Sequence, residues 1–145
     1  MYDLVIRNGK VVDGSGAPAY LADVAVNGNH IVKIGKIAEP ARSEVDAAGK
    51  VVTPGFIDPH THFDAQLLWD GCAKPALSHG VTTIVSGNCS LSLAPLKAKH
   101  RMKLVGMFNQ IEEMPLKAFK EGVVWDWETF TDYITRIRKG LAINV

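Results

Sequence analysis

The sequence predicts an α/β protein in which a small antiparallel sheet leads into the first strands of a parallel sheet. Three observations carry this reading. Residues 1–53 hold short apolar runs separated by turn residues. Two continuous apolar runs then follow, at 54–57 and 80–87, each bounded by Gly or Pro. Segments with helical spacing come after the second run, the order of a parallel α/β sheet.

In the leading part, Leu4-Val5-Ile6 and Val11-Val12 are predicted strands with Asn8-Gly9 between them as a hairpin turn. Asp13-Gly14-Ser15-Gly16 is a loop. Asp23 to Asn27 alternates at period two, and Gly28-Asn29 turns the chain into a further strand at Ile31–Ile34. This pattern suits one half of a small β-sandwich, and it carries no recognisable chemistry.

After Lys50 the character changes. Val51-Val52 and Pro54-Gly55-Phe56-Ile57 form a short apolar run of the kind found in strands buried on both faces, and Gly80–Gly87 forms a second. Leu96–Glu113 and Leu116–Glu121 are predicted helices separated by Pro115, since proline breaks a helix. Trp127–Lys139 is also predicted helical, with Phe130, Tyr133, Ile134 and Ile137 on one face. A third strand begins at Leu141–Val145, so the chain is expected to be cut off within a longer domain.

Composition narrows the function. The 145 residues are 47 % hydrophobic and 21 % charged, a globular balance. A formal charge of +1 supplies no field for nucleic acid. Aromatic and basic residues do not interleave into a stacking surface. No apolar run reaches the roughly 18 residues that span a bilayer, and the N-terminus lacks the form of a signal peptide. Two cysteines, Cys72 and Cys89, are too few for a disulfide scaffold. A cytoplasmic protein with reduced thiols is expected.

The chemistry concentrates in Gly55-Phe-Ile-Asp-Pro-His-Thr-His62. Residues i and i+2 of a strand share a face, so His60 and His62 project together and Thr61 turns away. Two imidazoles so placed can converge on one divalent ion, with Asp58 one step further along the same face to orient a ligand. The pair lies at the C-terminal end of its strand, where parallel α/β folds build their sites. The plain alternative is a pair of surface histidines. Cys89 follows the next strand at the same end, and its thiolate is a good zinc ligand; a lone cysteine is otherwise a small buried hydrophobe. His79 reads as a turn cap, His100 as part of a solvated basic helix face, His30 as an exposed strand start, and Cys72 has no histidine at ligand spacing.

PGFIDPHTH, residues 54–62, resembles the first barrel strand of the amidohydrolase superfamily. GVTTIVSGNCSLSLAPL, residues 80–96, is similar to the N-acyl-D-amino-acid deacylase (D-aminoacylase) branch, as are THFDAQLLWD and VVWDWETFTDYI. The resemblance implies a metal-dependent (β/α)₈ TIM barrel at 54–145, incomplete here, preceded by a small β-domain at 1–53. It implies Zn²⁺, one or two ions, with His60, His62 and Cys89 as ligands and the cysteine in the bridging place that a carboxylated lysine takes elsewhere in the superfamily. It implies hydrolysis of N-acyl-D-amino acids by a metal-activated water, a small-molecule substrate, and no nucleic-acid or membrane partner.

The remaining ligands, the general acid or base and the group gripping the substrate carboxylate have no counterpart here and are expected beyond Val145. Ser90 stands where glycine is common in the branch. Two other readings remain open at this point. The chain is a truncated product without catalytic activity, or the enzyme acts on another amide or a cyclic amide, as hydantoinases and dihydroorotases do.

Overall fold

A computed structural model describes all 145 residues, which form two compact units, Met1–Pro54 and Gly55–Val145. The first unit is one five-stranded sheet. Its strands are β1 (Tyr2–Val11), β2 (Tyr20–Asn27), β3 (His30–Gly35), β4 (Ala41–Asp46) and the two-residue β5 (Val51–Val52). The order is β3-β2-β1-β4, with β5 also pairing with β1.

Two expectations are corrected here. The sheet is mixed rather than antiparallel: β1 pairs antiparallel with β2, but parallel with both β4 and β5. Nor is Asn8-Gly9 a hairpin turn, because β1 runs straight through it. Asn8 takes φ +59 and the register with β2 slips between Ile6 and Gly9. Asparagine tolerates the left-handed region, so the same dipeptide that closes a hairpin can instead make a bulge. The Asn8 amide donates to Asp23 (2.8 Å) and its side-chain amide to Asp46 (3.0 Å), which holds the bulge from both neighbouring strands.

The core of this unit is Val5, Ala25 and Ile37, with Tyr2 and Ala41 against it. Arg7 ties the edges together through Glu44 (2.6 Å), the carbonyls of Glu39 and Ile37, and Asp23.

In the second unit, β6 (Phe56–Thr61) and β7 (Val81–Ser86) pair in parallel. The helices are α1 (Lys74–Leu77), α2 (Arg101–Ile111), α3 (Leu116–Gly122) and α4 (Phe130–Ile137), with 3₁₀ turns at Gln66–Leu68 and Ala98–His100. The sheet has only two strands, so β6 is not buried on both faces as its composition suggested. Phe56 is 57 % and Ile57 67 % exposed.

The predicted helix at 96–113 is shorter: Leu96 lies outside any helix, Lys97 is extended and the 3₁₀ turn precedes α2. The helix predicted from Trp127 starts at Phe130, because Thr129 and Asp132 form a capping box that sets its first turn. Trp127 instead donates its indole N–H to the Leu93 carbonyl at 2.9 Å. The predicted third strand is a single parallel bridge, Asn144 beside Thr83.

An aromatic row organises this core. Phe108 meets Phe119 (5.8 Å between ring centres), Phe119 meets Trp125 (6.3 Å), Trp125 meets Trp127 (5.5 Å) and Trp127 meets Tyr133 (5.4 Å). Offset and edge contacts of this kind add to the area the rings bury. At one end of the row, Phe108 stands edge-on to the His62 ring with centres 6.5 Å apart.

Candidate metal centre

The C-terminal end of β6 is pinned by the residue between the two histidines. Thr61 is buried, and its hydroxyl donates to the Val85 carbonyl (3.1 Å) and lies 3.1 Å from the Ser86 hydroxyl on β7. Strand alternation then leaves His60 and His62 on the opposite side, with ring centres 5.4 Å apart in an edge-to-face arrangement. The His60 amide donates to the Asp58 carboxylate at 3.2 Å, so Asp58 stiffens the strand end through its backbone.

The loop after β7 returns to the same place. Gly87 (φ +81) and Ser90 (φ +74) turn it, the Ser90 amide donates to the Gly87 carbonyl (3.1 Å), and the Asn88 side chain donates to the Pro59 carbonyl on β6 (2.7 Å). Cys89 is therefore held over the histidines, with Sγ 3.4 Å from His62 Nε2. One donor atom from each of His60, His62 and Cys89 lies within 4.8 Å of the other two.

The set fits a zinc ion. A tetrahedral ion with Zn–N of about 2.0–2.1 Å and Zn–S of about 2.3 Å puts those two atoms about 3.6 Å apart. His62 turns Nε2 toward the Cys89 sulfur, while its Nδ1 is buried without a partner. Cys89 and His60 are exposed and His62 is half-buried, which leaves the group open to an ion from solvent.

The other sequence candidates stay apart from this site. His79 Nδ1 donates to the Pro75 carbonyl (2.8 Å) at the end of α1. His100 and His30 are exposed, and the half-buried Cys72 lies in the Asp70 turn, where its amide donates to that carboxylate.

Two acids were missed by sequence reasoning. Asp64 is 1 % exposed, with Oδ2 lacking any hydrogen-bond partner. Burial pushes its carboxyl above the ordinary range, against the opposing pull of its own amide, the Leu93 amide and the Ser92 hydroxyl. Glu112, at the end of α2, brings Oε1 to 3.6 Å from His62 Nε2. Its signal in the sequence is only its place four residues after Phe108.

Residues 43–137 match the model of the amidohydrolase family, which covers more than half of the chain. The chain belongs to the amidohydrolase family. A D-aminoacylase from Alcaligenes xylosoxydans xylosoxydans is 40 % identical over 138 residues, covering 94 % of this chain and 26 % of the relative. An N-acyl-D-aspartate deacylase from the same organism is 38 % identical over 145 residues, 99 % of this chain and 27 % of its own. The chain thus spans about a quarter of the length of the curated relatives it matches.

Among solved structures, a D-aminoacylase with a binuclear metal centre superposes with a TM-score of 0.77 at 39 % identity, over 99 % of this chain and 28 % of its own. The N-acyl-D-glutamate deacylase of Bordetella bronchiseptica, complexed with zinc and a phosphonate inhibitor, superposes with a TM-score of 0.64 at 42 % identity, over 68 % of this chain and 21 % of its own. As an amidohydrolase chain it is a mixed, sheet-rich α/β structure like the N-terminal part of D-aminoacylase. No helix in it is long and apolar enough to cross a membrane.

Proposed function

We propose that this chain is the N-terminal segment of a zinc-dependent amidohydrolase that hydrolyses N-acyl-D-amino acids, and that His60, His62 and Cys89 hold its one or two zinc ions. Residues 1–53 are then its small β-domain and 54–145 the first strands and helices of its (β/α)₈ barrel. The convergence of two imidazoles and a thiol within 4.8 Å carries the reading. Relatives that act on N-acyl-D-amino acids supply the substrate class.

A bound zinc ion supplies Lewis acidity, polarising an amide carbonyl and lowering the pKa of a water. This chain's residues hold and aim it. His60 and His62 contribute neutral nitrogens from one strand face. Cys89 contributes a thiolate and one negative charge from the loop after β7. Thr61, keyed to Val85 and Ser86, keeps the strand end in register, and Asn88 keeps the loop from lifting away.

The test is release of free amino acid from N-acetyl-D- and N-acetyl-L-amino acids by the protein that carries this chain, with zinc bound and after chelation. Turnover selective for the D form, lost on chelation and in His60→Ala, His62→Ala and Cys89→Ala, is the expected result. Tightly held zinc with no turnover of any N-acyl-D-amino acid would overturn the substrate assignment and point to another amide or a cyclic amide.

A further inference from the structure

We propose that Glu112 is a further metal-directed donor, a carboxylate that α2 brings beside His62 at the edge of the His60, His62 and Cys89 group; the inference rests on the metal-centre reading above. Four observations support it. Glu112 closes α2 with its amide bonded to the Phe108 carbonyl at 3.0 Å, so its backbone position is set by the helix. Phe108 is fully buried, and its ring stands edge-on to the His62 ring with centres 6.5 Å apart.

Residues i and i+4 share a helix face, so the turn that backs the His62 ring through Phe108 also delivers Glu112 to the rim of that ring. There Oε1 lies 3.6 Å from Nε2, the nitrogen that also faces the Cys89 sulfur at 3.4 Å.

Imidazole and carboxylate donors bound to one tetrahedral ion, with bonds of about 2.0–2.2 Å, stand about 3.4 Å apart. The observed separation is close to that value. The carboxylate adds a hard oxygen and a negative charge to a set that otherwise holds two neutral imidazoles and one thiolate. It comes from a helix end rather than from a strand end, so the ion is approached from a third chain segment. Glu113, the next residue, has φ +52 and is exposed, which makes it the natural control.

The experiment is titration of the metal-stripped protein that carries this chain with Co²⁺ as a coloured substitute for zinc, followed by competition with Zn²⁺. Glu112→Gln, which keeps the side-chain shape, is expected to weaken binding by about 10–100-fold, at least the effect of losing a partner just outside the ligand shell. It is also expected to shift the visible cobalt bands, while Glu113→Gln does neither and Glu112→Asp recovers part of the affinity. Far-UV circular dichroism establishes that each variant is folded.

Wild-type affinity and spectrum in Glu112→Gln, with the ion still lost in His62→Ala, would overturn the role of Glu112 and leave the metal centre standing. Wild-type binding in His62→Ala as well would overturn the metal centre itself, and this inference with it.

Discussion

The Tyr133 hydroxyl donates to the Asp64 carbonyl at 2.8 Å, joining residues 69 positions apart in a buried contact. It ties α4 to the segment that follows the histidine pair. Tyr133→Phe leaves that carbonyl buried without its donor and is expected to cost about 1–3 kcal/mol in urea unfolding. Burial, with a smaller contribution from the Asp64 carboxylate, raises the Tyr133 phenol well above its ordinary value. The folded state therefore holds this proton more tightly than the unfolded state does. The stability it contributes is complete below the unfolded value of about 10 and declines as pH rises above it. Melting temperature followed from pH 9 to 12 should fall more steeply in wild type than in Tyr133→Phe.

Asp23 has the opposite sign. The Asn8 amide, then those of Ile37 and the Arg7 guanidinium, hold its carboxyl below the ordinary range. This contribution is present above the unfolded value of about 3.9 and is lost as pH falls through the lowered folded value. Asp23→Ala should destabilise the first unit by about 1–2 kcal/mol at neutral pH and flatten its acid limb, read by denaturant unfolding between pH 2 and 7. An acid limb unchanged by the substitution would exclude this account.

Ser90 sits at φ +74, a conformation that side chains disfavour by about 1–2 kcal/mol and glycine does not. Ser90→Gly removes that strain, less part of the gain to the freer unfolded chain. A net stabilisation of about 0.5–1 kcal/mol by thermal unfolding is expected. The loop should still present Cys89, so zinc affinity should not fall.

Two glycines make a matched pair. A Cβ at Gly71 would land on the Gly140 carbonyl oxygen, and both partners are backbone. Gly71→Ala should therefore cost about 1–3 kcal/mol. Nothing lies within 4 Å of a Cβ at Gly106, inside α2. Gly106→Ala should stabilise by about 0.5–1 kcal/mol, because alanine favours the helix. Equal effects at the two sites in a thermal-shift series would contradict the packing described.

If zinc binds only the folded centre, its stabilisation follows mass action. An excess of 100-fold over the dissociation constant should add about 2.7 kcal/mol, reversed by a chelator and absent in Cys89→Ala.

That His60 and His62 point the same way, with Cys89 at the same strand end, was readable because strand alternation and strand-end position are local properties. Their meeting within 4.8 Å needs two consecutive strands that run parallel and a loop after β7 that turns back at Gly87 and Ser90. Asp64 was not readable as a buried acid, since Tyr133 and Leu93, distant in sequence, create its surroundings. Glu112 depends on where α2 ends against His62, which no spacing rule encodes. Asn8-Gly9 misled because its conformational licence serves a hairpin and a bulge alike. The parallel partners of β1 left no mark, because β4 and β5 look the same whichever way they pair. Phe56 and Ile57 have the apolarity of a covered strand, and in this two-stranded sheet they are exposed.

The central place of β1 has a consequence for how the chain is made. Its partners on one side are β2, and on the other β4 and β5, which end at Val52. On a ribosome adding about 5–20 residues per second, Tyr2–Val11 waits several seconds with one flank unpaired before those last strands leave the exit tunnel. Nascent chains halted before Val52 should therefore be the ones that nascent-chain-binding chaperones hold longest, and ribosome profiling of chaperone-bound nascent chains would register the release.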